Sequence, residues 1–187
     1  MKTSTSLLAL AVLSTCALHA QEAWLPLEPG KVLTYRVAGT DVRVEVGGTF
    51  QLDVHLPGED RDRSIEVRQL VGLSEDAAYV AATDAGALLV MVRPFGDGGD
   101  PTPLPVADLR WVDESWEFWT ADGCEVWKVE CRRAGIERVE VPAGAWDCLR
   151  LEIGDEQTFW LARGVGIVRW RDRTDGIEVV RELASVE

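Results

Sequence analysis

The 187-residue chain contains two histidines, too few for chemistry built on paired histidines or on a histidine-rich metal site. Basic side chains are scarce as well: 19 Lys and Arg stand against 32 Asp and Glu, a formal charge of −13. A field of that sign repels phosphates, which excludes nucleic acid as a partner. The longest apolar run near the N-terminus, Leu7 to Leu13 (LLALAVL), falls well short of the roughly 20 residues a membrane-spanning helix needs. What the chain does have is 47% apolar residues and eight Trp against four Phe and two Tyr. A chain of this length and composition can bury a real core.

Lys2 precedes the apolar run and Ser14 to Ala20 is rich in small residues, the order of a secretory signal peptide. Residues 1–20 therefore read as a leader helix, with cleavage after Ala20 leaving Gln21 as the new N-terminus. A second reading takes Leu13-Ser14-Thr15-Cys16 as a bacterial lipobox, with Cys16 lipidated and retained. Both readings place the product outside the cytoplasm, periplasmic or extracellular, either soluble or lipid-anchored, with no transmembrane span in the mature chain. Loss of residues 1–20 leaves 18 basic against 32 acidic side chains, a charge of −14, and His55 as the one remaining histidine.

Residues 21–187 read as one all-β domain. Turn signals recur at Pro29-Gly30, Gly47-Gly48, Asp84-Ala85-Gly86, Asp122-Gly123, Ala134-Gly135, Pro142-Ala143-Gly144, Gly154-Asp155 and Asp175-Gly176. Between them apolar residues alternate with polar ones, as Val42, Val44 and Val46 do with Asp41, Arg43 and Glu45. The stretch Phe95 to Pro105 breaks this pattern and reads as a loop between two halves of the domain. Turn length fixes register. A two-residue turn at Asp122-Gly123 sets Phe118 against Trp127, Trp116 against Val129 and Glu117 against Lys128. A three-residue turn at Arg133 to Gly135 sets Trp127 against Val141, Val129 against Val139, Lys128 against Glu140 and Glu130 against Arg138. A four-residue loop Pro142 to Ala145 sets Val141 against Trp146, Val139 against Cys148 and Glu137 against Arg150. A turn at Gly154 to Glu156 sets Leu151 against Phe159, Leu149 against Leu161 and Arg150 against Trp160.

These registers give an antiparallel meander from Ser115 to Ala162. One face carries Trp116, Phe118, Trp127, Val129, Val139, Val141, Trp146, Cys148 and Trp160; the other is charged at first and apolar later. A sheet that becomes apolar on both sides must curl or be covered, which predicts a curved, open or partly closed barrel. The mature cysteines are Cys124, Cys131 and Cys148. In this register Cys131 and Cys148 share a face two strands apart, beyond the reach of a disulfide, so three buried thiols outside any disulfide are expected.

Candidate chemistry is sparse. His55 lies two residues from Asp53, but no Gly-x-Ser-x-Gly element supplies a nucleophile, so an inert surface histidine is expected. One His and three scattered Cys offer no zinc spacing, and Asp97 and Asp100 match no calcium loop. No metal or cofactor is expected, and no enzyme; a hydrolase built on paired carboxylates is a minor alternative. The tryptophans are the distinctive feature. Trp116, Trp127, Trp146 and Trp160 on one curled face are candidate ligand-binding residues for an apolar small molecule, with Arg150, opposite Trp160, as a cation–π partner or polar anchor.

Two segments carry a resemblance. Val141-Pro142-Ala143-Gly144-Ala145-Trp146, followed by Phe159-Trp160-Leu161-Ala162-Arg163-Gly164-Val165-Gly166-Ile167-Val168, resembles a paired signature of exported bacterial β-rich proteins of unknown function. Leu25-Pro26-Leu27 through Gly30 to Tyr35 is similar to their opening element. The resemblance implies a cell-envelope protein with a curved antiparallel sheet similar to the LolA/LolB lipoprotein-carrier half-barrel, and it brings no catalytic residues. The function expected is a secreted or lipid-anchored, non-catalytic binding or structural module, partnered by an envelope protein or small molecule. The alternative is a periplasmic carrier of a lipid or other apolar ligand. Intact-mass measurement of protein isolated from its own host is expected to give a chain beginning at Gln21; a diacylated chain beginning at Cys16 selects the lipobox instead.

Overall fold

In the computed structural model, strands β1 (Val32–Val37), β2 (Thr40–Val54), β3 (Arg63–Val71), β4 (Ala78–Ala82), β5 (Leu88–Arg93) and β6 (Thr102–Asp108) form the first half of the chain. The second half supplies β7 (Ser115–Asp122), β8 (Glu125–Val141), β9 (Gly144–Ile153), β10 (Gln157–Ala162), β11 (Gly166–Thr174) and β12 (Ile177–Val186). The structure describes the backbone of residues 24–25, 28–54, 63–72, 78–82, 88–93, 102–108, 115–122, 125–174 and 176–187, and side chains in 24–25, 28–51, 53, 64, 66–72, 115, 117, 128–173 and 176–187. The expected leader helix, Cys16, His55, Asp97, Asp100 and Cys124 lie outside the described residues.

All twelve strands join one antiparallel sheet in the order β6-β5-β4-β3-β2-β1-β12-β11-β10-β9-β8-β7. The first and last strands pair at its centre, Tyr35 opposite Leu183 and Arg36 opposite Glu182, so each half of the chain meanders outward to an edge. This connectivity dictates the curl. Twelve strands laid flat would separate β6 from β7 by about 50 Å at a spacing of about 4.8 Å. The chain between Asp108 and Ser115 can span at most about 25 Å. The edges must therefore approach each other, and the sheet is a curved, partly closed barrel, as the pattern of two apolar faces predicts. The break between halves falls after β6. Residues Thr102 to Pro105, expected in a loop, open β6 and pair with β5, Thr102 opposite Arg93. Pro103 and Pro105 suit that position, since an edge strand has one side with no ladder to satisfy.

The two longest strands correct two of the expected turns. Gly47-Gly48 does not reverse the chain; it is a bulge within β2, where the register with β3 shifts between Val46 and Thr49. Ala134-Gly135 likewise lies inside β8, and Ala134 is the extra residue between Arg133 opposite Leu151 and Gly135 opposite Arg150. Gly135 has φ +103° with open space around it, so glycine is needed there for backbone conformation and not for clearance. The pairings of Trp127, Val129, Lys128 and Glu130 with residues 138–141 therefore do not form. β8 instead pairs with β7 through its first half and with β9 through its second.

Two other registers are displaced by two residues. The β7–β8 reversal lies between Asp122 and Glu125, which sets Phe118 against Val129, Trp116 against Cys131 and Glu117 against Glu130. The β8–β9 turn contains only Pro142 and Ala143, which sets Val139 against Trp146 and Glu137 against Cys148. A two-residue slip returns every side chain to the same face, so alternation alone does not detect it. It also leaves diagonal partners in reach: Lys128 still ion-pairs with Glu117, and Arg150 Nη1 lies 3.8 Å from Glu137 Oε2. The Gly154 to Glu156 turn is as expected, with Leu151 opposite Phe159, Leu149 opposite Leu161 and Arg150 opposite Trp160.

The Ala134 bulge, an odd insertion, exchanges the faces of β8. Cys131 joins a large buried cluster with Leu149, Leu151, Phe159, Leu161, Trp170, Tyr35 and Leu183, with Val129 against it. Beyond the bulge, Val139 joins Cys148, Trp160, Ala162 and Val168 in a smaller cluster. The single nine-residue face expected from alternation is thus divided at the bulge. We call the side of the large cluster the core face and the other the opposite face. Cys131 and Cys148 are both buried thiols, as expected, but for a different reason: they sit on adjacent strands, opposite Ile153 and Glu137 respectively, and on different faces.

Tyr35 closes the core. It is 1% exposed, and its hydroxyl donates to the Ile167 carbonyl at 2.7 Å. That carbonyl lies beyond the β11–β12 ladder, which begins at Arg169, and beside a bulge at Val168. The tyrosine thus gives a donor to a backbone acceptor beside the bulge. Deleting Ala134 removes the bulge and turns the apolar residues of β8 before it toward the wrong face; loss of a cooperative urea transition is expected, whereas Ala134→Ser, on an exposed position, should shift stability by less than about 0.5 kcal/mol.

Candidate functional site

The tryptophans named from sequence do not form one platform. The side chains of Trp116 and Trp127 lie outside those described. Trp160, 8% exposed, belongs to the small cluster on the opposite face, and Trp146 is half-buried and packs against both clusters. Trp160 is buried although its face is charged, because charged side chains cover it. The guanidinium carbons of Arg169 and Arg171 lie 5.7 and 6.0 Å from its ring centroid, and its indole N–H donates to Glu137. Arginine stems bring apolar length as well as charge, so they can cover a ring while their heads stay wet.

Arg150 has the expected position opposite Trp160 but another role. The cations over the ring come from β11, on the other side of β10. Arg150 instead donates to Glu152, which also accepts from Arg132 Nε at 2.9 Å. The row continues with Arg169 to Glu182 at 2.6 Å and Arg173 to Glu178 at 2.8 Å. Arg171 donates to Thr158 Oγ1 at 2.8 Å, which satisfies a buried hydroxyl on the same face as Trp160. Opposite charges alternate across neighbouring strands, the arrangement that stabilises cross-strand pairs.

Hydrogen bonding from Arg132 holds the Glu152 carboxyl below the ordinary glutamate range, assisted by the positive charge of Arg150. The Arg132 guanidinium is pushed upward by the same bond. Glu178 is lowered in the same way by Arg173. Burial raises both thiols, Cys148 to about 11 and Cys131 further, so neither is a thiolate at neutral pH. A shallow recess of about 420 Å³ opens on the charged face between Lys128, Glu130, Arg132, Glu152, Gly154 and Asp155. Its walls are ionic and its lysine and arginine are already engaged by Glu117 and Glu152.

The core face holds aromatics of its own. Phe159 and Trp170 stack with centroids 5.3 Å apart and an interplanar angle of 11°, and Arg181 lies 4.2 Å from the Trp170 ring centroid. Trp170 and Phe159 are 1% and 0% exposed. Such a pair contributes about 0.5–1.5 kcal/mol beyond its buried area. At the end of the sheet near Val32, Arg163 lies 4.0 Å over Trp24, and the Ala143 N–H donates to the Leu183 carbonyl at 3.0 Å. The Val141 to Trp146 segment of the resemblance is therefore structural. Gly144 has φ +145°, and the Trp146 ring lies 3.2 Å from where a Cβ would stand.

No family model matches the chain, and no curated protein matches it. Two solved structures overlap it loosely. One is a chain from Bacteroides fragilis described as an exported protein with a YmcC-like fold, at 13% identity and a TM-score of 0.38, covering 89% of this chain and 99% of that one. The other is described as a lipoprotein from Parabacteroides distasonis, at 12% identity and a TM-score of 0.40, with the same coverage.

Because the Glu152 carboxyl is lowered in the folded state, its contribution is present above pH 4.5 and is lost as pH falls through its folded value. Glu152→Gln is expected to cost about 1 kcal/mol near pH 7, a figure kept low by the exposure of Arg132. Urea titrations of the two proteins should converge as the pH drops toward 3.

Proposed function

We propose that this protein is an exported, non-catalytic component of the bacterial cell envelope that acts as a binding or structural module. The observation that carries this reading is the core face, which among the described residues is occupied by the protein's own side chains. Tyr35, Phe159, Leu161, Trp170 and Leu183 are each at most 1% exposed and belong to one cluster that runs from β1 to β3 and from β8 to β12. A carrier of an apolar ligand needs a lined cavity on that side. Here the Phe159–Trp170 stack and the Tyr35 hydroxyl bond occupy it.

Four carboxylates among the described residues favour a non-catalytic role. Glu137, Glu152, Glu178 and Glu182 are committed to Trp160 and to arginines along the opposite face. A general acid and base need one carboxyl raised and another held ionised, whereas Glu152 and Glu178 are both lowered. The exported location rests on the leader-like residues 1–20. No helix among the described residues is long and apolar enough to cross a membrane.

Native mass spectrometry of protein isolated gently from its own host is expected to give the mass of the bare chain, with any lipid modification confined to its N-terminus. A stoichiometric, non-covalent lipid released by organic extraction would overturn the module reading in favour of the carrier.

A further inference from the structure

The core face is sealed at Leu183 and opens toward the Ala38-Gly39 turn. Along β12 the residues of that face run Leu183, Arg181, Val179, Ile177. Leu183 is buried, Arg181 and Val179 are half-buried, and Ile177 is 68% exposed, more than any other large apolar side chain among those described. Burial falls in step on the strands beside it. Val37 of β1, opposite Arg181, is half-buried. On β11, Trp170 opposite Arg181 is buried, whereas Asp172 opposite Val179 is half-buried. Arg181 thus stands where the packed core gives way to solvent.

This cation has no anion. Its guanidinium lies 4.2 Å from the Trp170 ring centroid, and Nη1 is buried without a hydrogen-bond acceptor among the described residues. Half-buried arginines on nearby strands are treated differently: Arg150, Arg169 and Arg171 donate to Glu152, Glu182 and Thr158. Taking a guanidinium out of water without giving its N–H groups an acceptor is unfavourable, and the ring contact offsets only part of that cost. Stacking uses the flat face of the group. The N–H donors in its plane remain, in the fork that receives a carboxylate through two parallel hydrogen bonds. Asp172 lies diagonally across from Arg181 and is engaged elsewhere. Its negative charge beside the site opposes a doubly charged ligand more than a singly charged one.

From this arrangement we infer that the open end of the core face binds a small amphiphilic carboxylate, its head on Arg181 and its apolar body across Val179 and Ile177. The head supplies the acceptor that Arg181 lacks. The body covers the apolar surface that Ile177 leaves in water. From Arg181 to Ile177 the strand rises about 13 Å, so the body is short. The ligand stays at the mouth, because Tyr35, Trp170 and Leu183 close the core behind the arginine. The inference rests on the module reading, makes the module a binding one and names the class of its ligand.

The test titrates octanoate into the exported chain and follows isoleucine methyl groups and arginine Nε–H groups by NMR, with octanol and acetate alongside. Octanoate is expected to give saturable shifts at Ile177 and Arg181, while the buried methyl groups of Ile153 and Ile167 hold their positions. Octanol should leave Arg181 unmoved. Arg181→Gln is expected to weaken octanoate about tenfold or more, as the loss of hydrogen bonds from a charged group requires. Ile177→Ser, a change at an exposed position, should weaken octanoate several-fold and leave acetate as it was. Equal responses to octanol and octanoate, shifts that do not saturate, or an Arg181→Gln protein that folds and binds octanoate unchanged would overturn the inference and leave the module reading standing. Shifts centred on Ile153 and Ile167 in place of Ile177 would put the ligand inside the core cluster and overturn both.

Discussion

Pairing of Val32–Val37 with Ile177–Val186 places the beginning and the end of the sheet's chain path at its centre, and each half then meanders away from that seam. The edges so produced belong to strands joined by a link that reaches about half the width of the flat sheet. Curvature is therefore imposed by connectivity before any side chain is considered. The side chains decide which face is enclosed: Tyr35 on β1 and Leu183 on β12 face each other at the seam and head the cluster that fills the curl.

Curvature of a long sheet needs places where the backbone can change its pleat. β2 and β8, at 15 and 17 residues, are about three times an ordinary strand, and each carries one extra residue beside a glycine. An extra residue bends its strand and exchanges its faces. In β8 this lets one continuous strand send Cys131 into the core and Val139 to the other side. Val168 makes a third such place in β11, and there the neighbouring Ile167 carbonyl is met by Tyr35. Bend, face exchange and hydrogen-bond repair are parts of one solution to enclosing an apolar surface with a sheet that cannot stay flat.

The tryptophans divide by the same logic. Trp170 fills the interior against Phe159, whereas Trp160 lies on the charged face and is buried by arginine stems and a glutamate acceptor. The arginines can do this because the chain's acid excess pairs them: Glu182, Glu178 and Glu152 each hold one in place. A net negative composition thus leaves a locally balanced face.

Sequence alone determined the all-β class, the antiparallel meander of the second half, the reversal at Gly154 to Glu156 and the pairing of Arg150 with Trp160. These follow from two-residue periodicity and a short turn, which are local properties. It also brought Cys131 and Cys148 out as thiols, though by a register that the structure replaces. Tertiary structure decided the rest. Whether Gly47-Gly48 or Ala134-Gly135 reverses the chain or only bulges depends on a neighbouring strand that offers a continuous ladder, as β3 and β9 do. Ala38-Gly39 does reverse it, with φ +48° and +86°, although alanine rarely adopts that conformation and gives no signal for it. Slips by two residues preserve every face and are invisible to alternation. The cations over Trp160 come from β11 and the pairing at the seam joins residues about 150 apart, so both needed the whole sheet assembled before they existed.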